Sequence, residues 1–472
     1  MTGGRSDRRT GGQCVRRLLR TARRPFRPSA VFALLLAACK APGDGVIALE
    51  GATLINGSGG RPVEDALLLV KAGHIEVAAR VNEVKVPRGA SVLSLTGKTI
   101  IPGLIDSHAH VERWAIERYV VWGVTTVRDL GASGTDSGLA LRSAVNLGSL
   151  LGPRMFTAGA MIDGVPPTYP AATGVATPGQ GRQAVDQRAV AGTDLVKIYT
   201  KITPQLLAAI MDEAATLRLP VAAHLGKTDA ITAARAGVES LEHMAGVVQA
   251  AAPDPAPYFQ AHDRFLAGWT LEEKGWAGLD SAAVARVARA LAATRVGLVP
   301  TLVLHETLSR LDNPTLLSRP GMEDVPAAAA SVRDAAGLLR RAGWSPADLQ
   351  AFRLSRPRQD QFVREFKRAG GLIAAGSDAA NQLLVPGLSL HEEMSLLVTA
   401  GLTPLEAITA ATRRGAQLLR ADSLGVLAPG KVADLVVLDG DPAKSIGATR
   451  RIAWVMVRGR LIRPDSLRRT WH

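Results

Sequence analysis

The sequence predicts an α/β fold: a closed (β/α)8 TIM-like barrel, with a small β-sandwich domain built from both chain ends beside it. Three observations point there. Eight short apolar segments alternate with longer Ala/Leu-rich stretches through the middle of the 472-residue chain, and eight strand–helix repeats are what a closed parallel barrel needs. Glycine-punctuated, strand-like sequence flanks that region, as "VIALEGATLING" and "ALLLVKAGHIEVAA" before it and "KVADLVVLDGDP" and "IAWVMVRGRLI" after it. An apolar content of 47% is enough to bury a core of this size.

Taken in order, residues 1–38 read as a signal peptide. Nine arginines and one acid, Asp7, lead to the apolar run "SAVFALLLAAC", which is too short to span a bilayer and fits the apolar centre of a secretory leader. The run ends Leu36-Ala37-Ala38-Cys39. This resembles the lipobox of bacterial lipoproteins, and implies an exported protein held to the cell envelope by a lipid anchor at Cys39. The leader carries +8 of the formal net charge of +14. The rest is mildly basic, without a basic stripe interleaved with aromatics, which argues against nucleic-acid binding. The only other cysteine is Cys14, so a disulfide framework, a thiolate metal site and a cysteine nucleophile are all excluded from the mature chain.

A linker, 39–45, follows. Residues 46–98 form the first half of the expected β-sandwich, 99–420 the barrel and 421–472 the second half. The candidate barrel strands are 99–107, 123–129, 154–159, 194–200, 220–225, 239–244, 297–304 and 372–378. Helical sequence lies between most of them, at 203–218, 228–236, 281–294 and 323–342. The stretch 305–370 is longer than a simple crossover and predicts helices over the barrel mouth.

Chemistry collects at the ends of these strands. His108 and His110 are two apart at the end of the first strand, and such residues face the same side. His224 ends the fifth strand in "VAAHLG", His243 the sixth in "SLEHM" and Asp378 the eighth in "AAGSDAA". Barrel enzymes build their sites at this rim. Imidazoles and a carboxylate without sulfur suit zinc or a similar divalent ion. Five ligands are too many for one catalytic zinc with an open position and few for two ions. Lys197 sits at the matching end of the fourth strand, in "DLVKIYT". Burial favours its neutral amine, which can add CO₂ and become an anionic bridge.

The segments "PGLIDSHAHV", "GVTTVRDLG", "LVKIY", "AHLG", "GVESLEHM", "AAGSDAA" and the tail "LTPLEAITAATRRGAQLL…LGVLAPGKVADLVVLDGDP" resemble the amidohydrolase superfamily, in its imidazolonepropionase-like and Xaa-Pro-dipeptidase-like branch. The resemblance spans residues 46–462. It implies two divalent metal ions, zinc in the first instance. His108, His110 and Asp378 would hold the more buried ion, and His224 and His243 the other. Lys197 as a carbamate (N6-carboxylysine) would bridge them. It further implies attack by a metal-activated hydroxide, with Asp378 moving the proton from the nucleophile to the leaving amine.

Other residues are assigned by position. Tyr199, two residues after Lys197, faces inward and is a candidate donor to the substrate oxyanion or a barrel-filling side chain. His305 follows the seventh strand at the rim and is a candidate substrate contact. Asp129 is placed either to orient a ligand histidine or in a local turn. Arg128 or an arginine within 339–368 is a candidate for a substrate carboxylate. His391 reads as structural, and His74, His262 and His472 as surface residues. The implied function is hydrolysis of amide bonds in dipeptides or N-acyl amino acids. The same metal pair acting on a lactone, a phosphotriester or a cyclic amide is the alternative within the class. A non-catalytic envelope protein binding a ligand is the alternative outside it. A homo-oligomer is compatible with the sequence.

Overall fold

Helix starts are written into the sequence. Thr177, Thr203, Ser345 and Thr403 each precede a proline, and each accepts the backbone N–H three residues on, capping the helix that follows. Proline is harmless in a first turn because its missing N–H has no intrahelical partner there. Asp229 and Asp280 cap Ala230–Ala236 and Ser281–Ala293 in the same way.

The computed structural model describes residues 45–131 and 137–471; the leader with Cys39 lies outside the described residues. Between the helices run short parallel strands. They are β1 (Leu104–Ala109), β2 (Val124–Asp129), β3 (Arg154–Thr157), β4 (Val196–Ile198), β5 (Val221–Ala223), β6 (Ser240–Glu242), β7 (Gly297–Val299) and β8 (Leu372–Ile373). β1, β2 and β3 form a three-stranded parallel sheet. β4 to β8 lie in order in a seven-stranded parallel sheet, extended beyond β4 by Ile162–Gly164 and Thr173–Val175. Backbone hydrogen bonds connect the two sheets on both flanks. Ser107 N–H donates to Ala375 O just past β8 (2.9 Å), and Asp194 N–H, just before β4, donates to Thr157 O (3.0 Å). Helices cover these strands, so the strands read as apolar runs rather than alternating ones.

Strands from both ends of the chain pair in one eight-stranded mixed sheet. Leu435–Leu438 lies antiparallel between Thr99–Pro102 and Ile452–Val457, which ties the far end of the chain to the segment entering β1. Leu49, Leu68, Ile100, Leu435 and Met456 share one buried apolar cluster. The described ladders form this single sheet, and not the two separate sheets expected of a sandwich.

Four expected elements differ. The strand expected over 99–107 is two, Thr99–Pro102 in the mixed sheet and Leu104–Ala109 in the parallel one, and the strand expected over 372–378 ends at Ile373. The strand expected over 297–304 ends at Val299, and helix begins at Leu302. Thr301 adopts a positive φ of 46°, which breaks the extended chain. The helix expected over 323–342 is broken into Ala330–Arg333 and Ala335–Ala342 after a 3₁₀ turn at Met322–Asp324.

Further helices follow β6 and β7 along the chain, and part of their surface forms a separate apolar cluster, while Phe362, Val363 and Phe366 join the core of the strands. Three of these helices are α1 (Phe265–Gly278), α2 (Leu302–Ser309) and α3 (Pro346–Arg368). Trp269, Val303, Leu308, Phe352 and Leu384 belong to their own buried cluster. The N-terminus of α2 is held by a carboxylate from another helix: Val303 N–H donates to Glu393 Oε2 at 2.8 Å.

Close approach of β1 and the segment after β8 depends on Gly376. A Cβ there would stand 2.5 Å from a Val299 methyl, 2.8 Å from His108 Cβ and 2.9 Å from His108 N. Gly376→Ala is therefore expected to lower stability by about 1–3 kcal/mol through overpacking. Chemical denaturation of the purified variant checks this.

Candidate metal centre and active site

The strand ends deliver their side chains to one place. His108 lies within β1 and His110 just past it; His224 follows β5, His243 follows β6, and Asp378 lies five residues past β8. His243 and Asp378 have positive φ angles of 60° and 57°. That turn releases the chain from strand alternation, so the adjacent residues Glu242 and His243 both reach the same region. The imidazole centroids stand 5.4 Å apart for His108 and His110, 4.4 Å for His108 and His243, and 4.6 Å for His224 and His243.

Hydrogen bonds fix which ring nitrogens face inward. His110 Nδ1 is 2.6 Å from the carbonyl of Gly131, which only accepts, so Nδ1 carries the proton. His108 Nδ1 is 2.7 Å from Glu242 Oε2, with the same consequence. In the neutral rings each Nε2 is then a lone pair. Those two atoms lie 3.2 and 3.0 Å from Asp378 Oδ1. Acceptors crowded on a carboxylate need positive charge between them. Ligands of one zinc, each about 2.0–2.2 Å from it, stand at about this mutual separation. His108, His110 and Asp378 thus form a metal-competent cluster. His108 Nε2 and Asp378 Oδ1 have no directed hydrogen-bond partner, so the chemistry of these donors fits a cation. Burial alone would raise the Asp378 pKa, but His243 and His108 hold it well below the carboxylate range. Burial alone would lower the His110 pKa, but Asp378 outweighs it and raises it.

A second group adjoins the first. Lys197 is 1% exposed and its Nζ has no hydrogen-bond partner. Burial brings its pKa down to about 8, against opposing attraction from Glu242 and Asp378. His224 Nε2 is likewise buried without a partner. Burial, with Lys197 nearby, holds His224 well below the usual histidine pKa. Burial and His108 do the same to His243, whose Nδ1 is 2.7 Å from Thr301 Oγ1. Burial thus favours the neutral imidazole at both, the form that ligates metal. Tyr199 comes in beside them, its ring centroid 4.7 Å from that of His224. Its hydroxyl is hydrogen-bonded to that of Tyr169.

Other expected contacts lie elsewhere. His305 is buried, with Nδ1 2.6 Å from Glu273 Oε1 and Nε2 3.1 Å from the carbonyl of His243. Both of its nitrogens are thus engaged within the protein. Asp129 holds the chain just after His110 by accepting from Val111 N–H (3.0 Å), and also accepts from the Thr157 hydroxyl (2.6 Å). His262 is buried against Glu272, Nε2 to Oε1 2.6 Å, and is not a surface residue. His391 is buried between Thr449 and Trp122 O, as a structural histidine should be.

Arg128 is not available to a substrate carboxylate. Its Nη2 donates to Glu242 Oε1 at 2.8 Å, Nη1 to Ser240 Oγ at 3.0 Å, and Nε to Ser107 O. Arg128 and Glu242 are buried at 1% and 0% exposure. Burial would raise the Glu242 pKa, but Arg128 and then His108 push it far below the usual range. Sequence reasoning missed Glu242 because strand alternation turns a residue next to His243 away from it. Removing one partner of a buried ion pair costs about 3–5 kcal/mol, and outer partners of metal ligands are worth about 10–100-fold in affinity. Glu242→Gln is expected to lose both, read by denaturation and by metal competition with a chelator.

The model of the Amidohydrolase family matches residues 99–462. A protein from Bifidobacterium longum assigned as a prolidase shares this fold, with 25% identity, a TM-score of 0.68, and coverage of 91% of this chain and 99% of that one. A Xaa-Pro dipeptidase with bound methionine in its active site is 22% identical, with a TM-score of 0.66 over 89% of this chain and 100% of the other. Bottromycin amidohydrolase is 23% identical, with a TM-score of 0.68 over 90% and 89%. An imidazolonepropionase from Pyrobaculum arsenaticum is 38% identical over 77 residues, which is 16% of this chain and 19% of that relative's length. With a metal-competent His-His-Asp cluster at its strand ends and a family match over most of its length, the chain belongs to the amidohydrolase family of metal-dependent hydrolases.

Proposed function

We propose that the protein hydrolyses amide bonds of dipeptides or N-acyl amino acids with a pair of divalent metal ions, zinc in our reading. The observation that supports this is a buried His108–His110–Asp378 cluster with His243 and His224 packed in series beside His108, and a buried lysine amine that interacts with Asp378 and has no hydrogen-bond partner. An unpaired buried ammonium is costly, whereas a carbamate on Lys197 would be anionic and would have cations to bind. In its formation the neutral amine attacks CO₂, a C–N bond forms, and a proton leaves to solvent. His108, His110 and Asp378 would hold one ion, His224 and His243 the other, with Lys197 between them. Bound divalent ions supply an acidified water and Lewis acidity toward a carbonyl.

The chain's own residues do the rest. Asp378 lies among the ligands as a carboxylate, and Asn381 Nδ2 donates to its Oδ2 at 2.7 Å. In this reading it would take the proton of the attacking water and return it to the leaving nitrogen. Tyr199, beside His224, can turn its hydroxyl from Tyr169 to the developing oxyanion. We read the two parallel sheets as one (β/α)8 barrel, on the support of the backbone bonds that connect them, and the sequence of the leader as an export signal with a lipid anchor at Cys39.

The decisive experiment is metal analysis with a panel of dipeptides and N-acyl amino acids, zinc and bicarbonate supplied. About two ions per chain with turnover is the expected result; metal-loaded protein inert toward every amide and ester overturns the reading. Lys197→Ala is expected to lose metal affinity about 10–100-fold or more, and activity with it. Acetate or propionate should restore part of that activity by filling the bridge. The amine is neutral only above its pKa of about 8. Reactivation of chelated enzyme by bicarbonate at fixed dissolved CO₂ should therefore quicken as pH rises through that value.

A further inference from the structure

Aromatic residues make up only 4% of this chain, with four tyrosines, eight phenylalanines and seven tryptophans. Four of these rings gather beside His224. Tyr199, Phe265 and Trp269 stand 4.7, 5.8 and 5.7 Å from its imidazole, centroid to centroid. Tyr169 adds a further ring, 5.5 Å from Tyr199 and 6.3 Å from Phe265. Trp269 is also 6.0 Å from His243. The rings come from three loops and helices after different strands, so no single element explains their meeting.

This group is not ordinary core. Tyr169 is 40% exposed and Phe265 is half-buried. Trp269 is buried, yet its indole N–H has no hydrogen-bond partner, although buried indole donors normally find one. The wall is also held rigid from behind. Trp269 stacks on His305 at 5.5 Å and 13°, and His305 is fixed by Glu273 and the carbonyl of His243. A rigid apolar surface beside the ligands, partly open and carrying an unused donor, is what a pocket for a bulky side chain requires.

We infer that Tyr169, Tyr199, Phe265 and Trp269 form the specificity wall of the site and take a large apolar or aromatic side chain adjoining the scissile amide. This rests on the amide-hydrolysing reading above. His305 serves as a positioning residue for Trp269.

The test compares kcat/KM for Phe-Ala, Ala-Phe and Ala-Ala in the wild type and in Phe265→Ala and Tyr169→Ala. Calorimetric binding of N-acetyl-L-phenylalanine against N-acetyl-L-alanine is measured on the same proteins. The wild type should favour one phenylalanyl dipeptide over Ala-Ala by at least about tenfold, within reach of a hydrophobic pocket. Either variant should bring that ratio to within about threefold of unity, with the same loss of discrimination in binding. Equal turnover of all three dipeptides, or a preference that survives both substitutions, overturns the inference. If no amide is cleaved, binding decides. Discrimination that both variants abolish upholds the wall while the amide-hydrolysing reading falls, and its absence removes the wall as well.

Discussion

A buried carboxylate organises the centre of this protein. Glu242 accepts from Arg128 on one oxygen and faces the His108 ring on the other. Because Arg128 also reaches Ser107 O and Ser240 Oγ, one ionic contact ties β1, β2 and β6 together below the ligands. An uncompensated charge at this depth would be expensive, so each member requires the others. The outcome is chemical as well as structural: the Glu242 contact places the His108 proton on Nδ1 and leaves Nε2 to face Asp378.

Around this anchor the site is assembled from backbone departures. Positive φ at His243 and Thr301 ends regular structure close to the ligands, and positive φ at Asp378 turns the segment past β8. Thr301 does two tasks, since its φ stops the strand and its hydroxyl meets His243 Nδ1. Strain of this kind persists only when surrounding contacts over-determine it. The contacts here include the bond from Val303 N–H to Glu393. Helices α1 and α2 bring Phe265, Trp269 and His305 to the flank of the ligands.

Much of this was legible in advance. Apolar strands alternating with capped helices gave the α/β arrangement, because the Thr-Pro and Ser-Pro starts are local signals. His108, His110, His224, His243 and Asp378 were recognisable because each lies at the same end of a short apolar segment. The ends of longer elements were not. The run through 297–304 is apolar throughout, and composition does not reveal that Thr301 turns the chain into helix. His262 carries no sign of its burial, which depends on Glu272 and on Gly226 and Gly268, close enough to its ring that a Cβ on either would collide.

By itself, then, the sequence determined the residue types of the centre, their order along the strands and the family. These depend on local periodicity and on motifs, which one chain carries in full. Tertiary structure decided what each polar side chain answers to. Arg128 turned out to serve a buried glutamate instead of a substrate, His305 to support an indole, and the sparse aromatics to meet beside His224. Such partners lie tens to hundreds of residues apart, as with the 114 between Arg128 and Glu242. Pairings over that distance are set by packing and by the cost of leaving a buried charge or donor unpaired, and no local pattern records them.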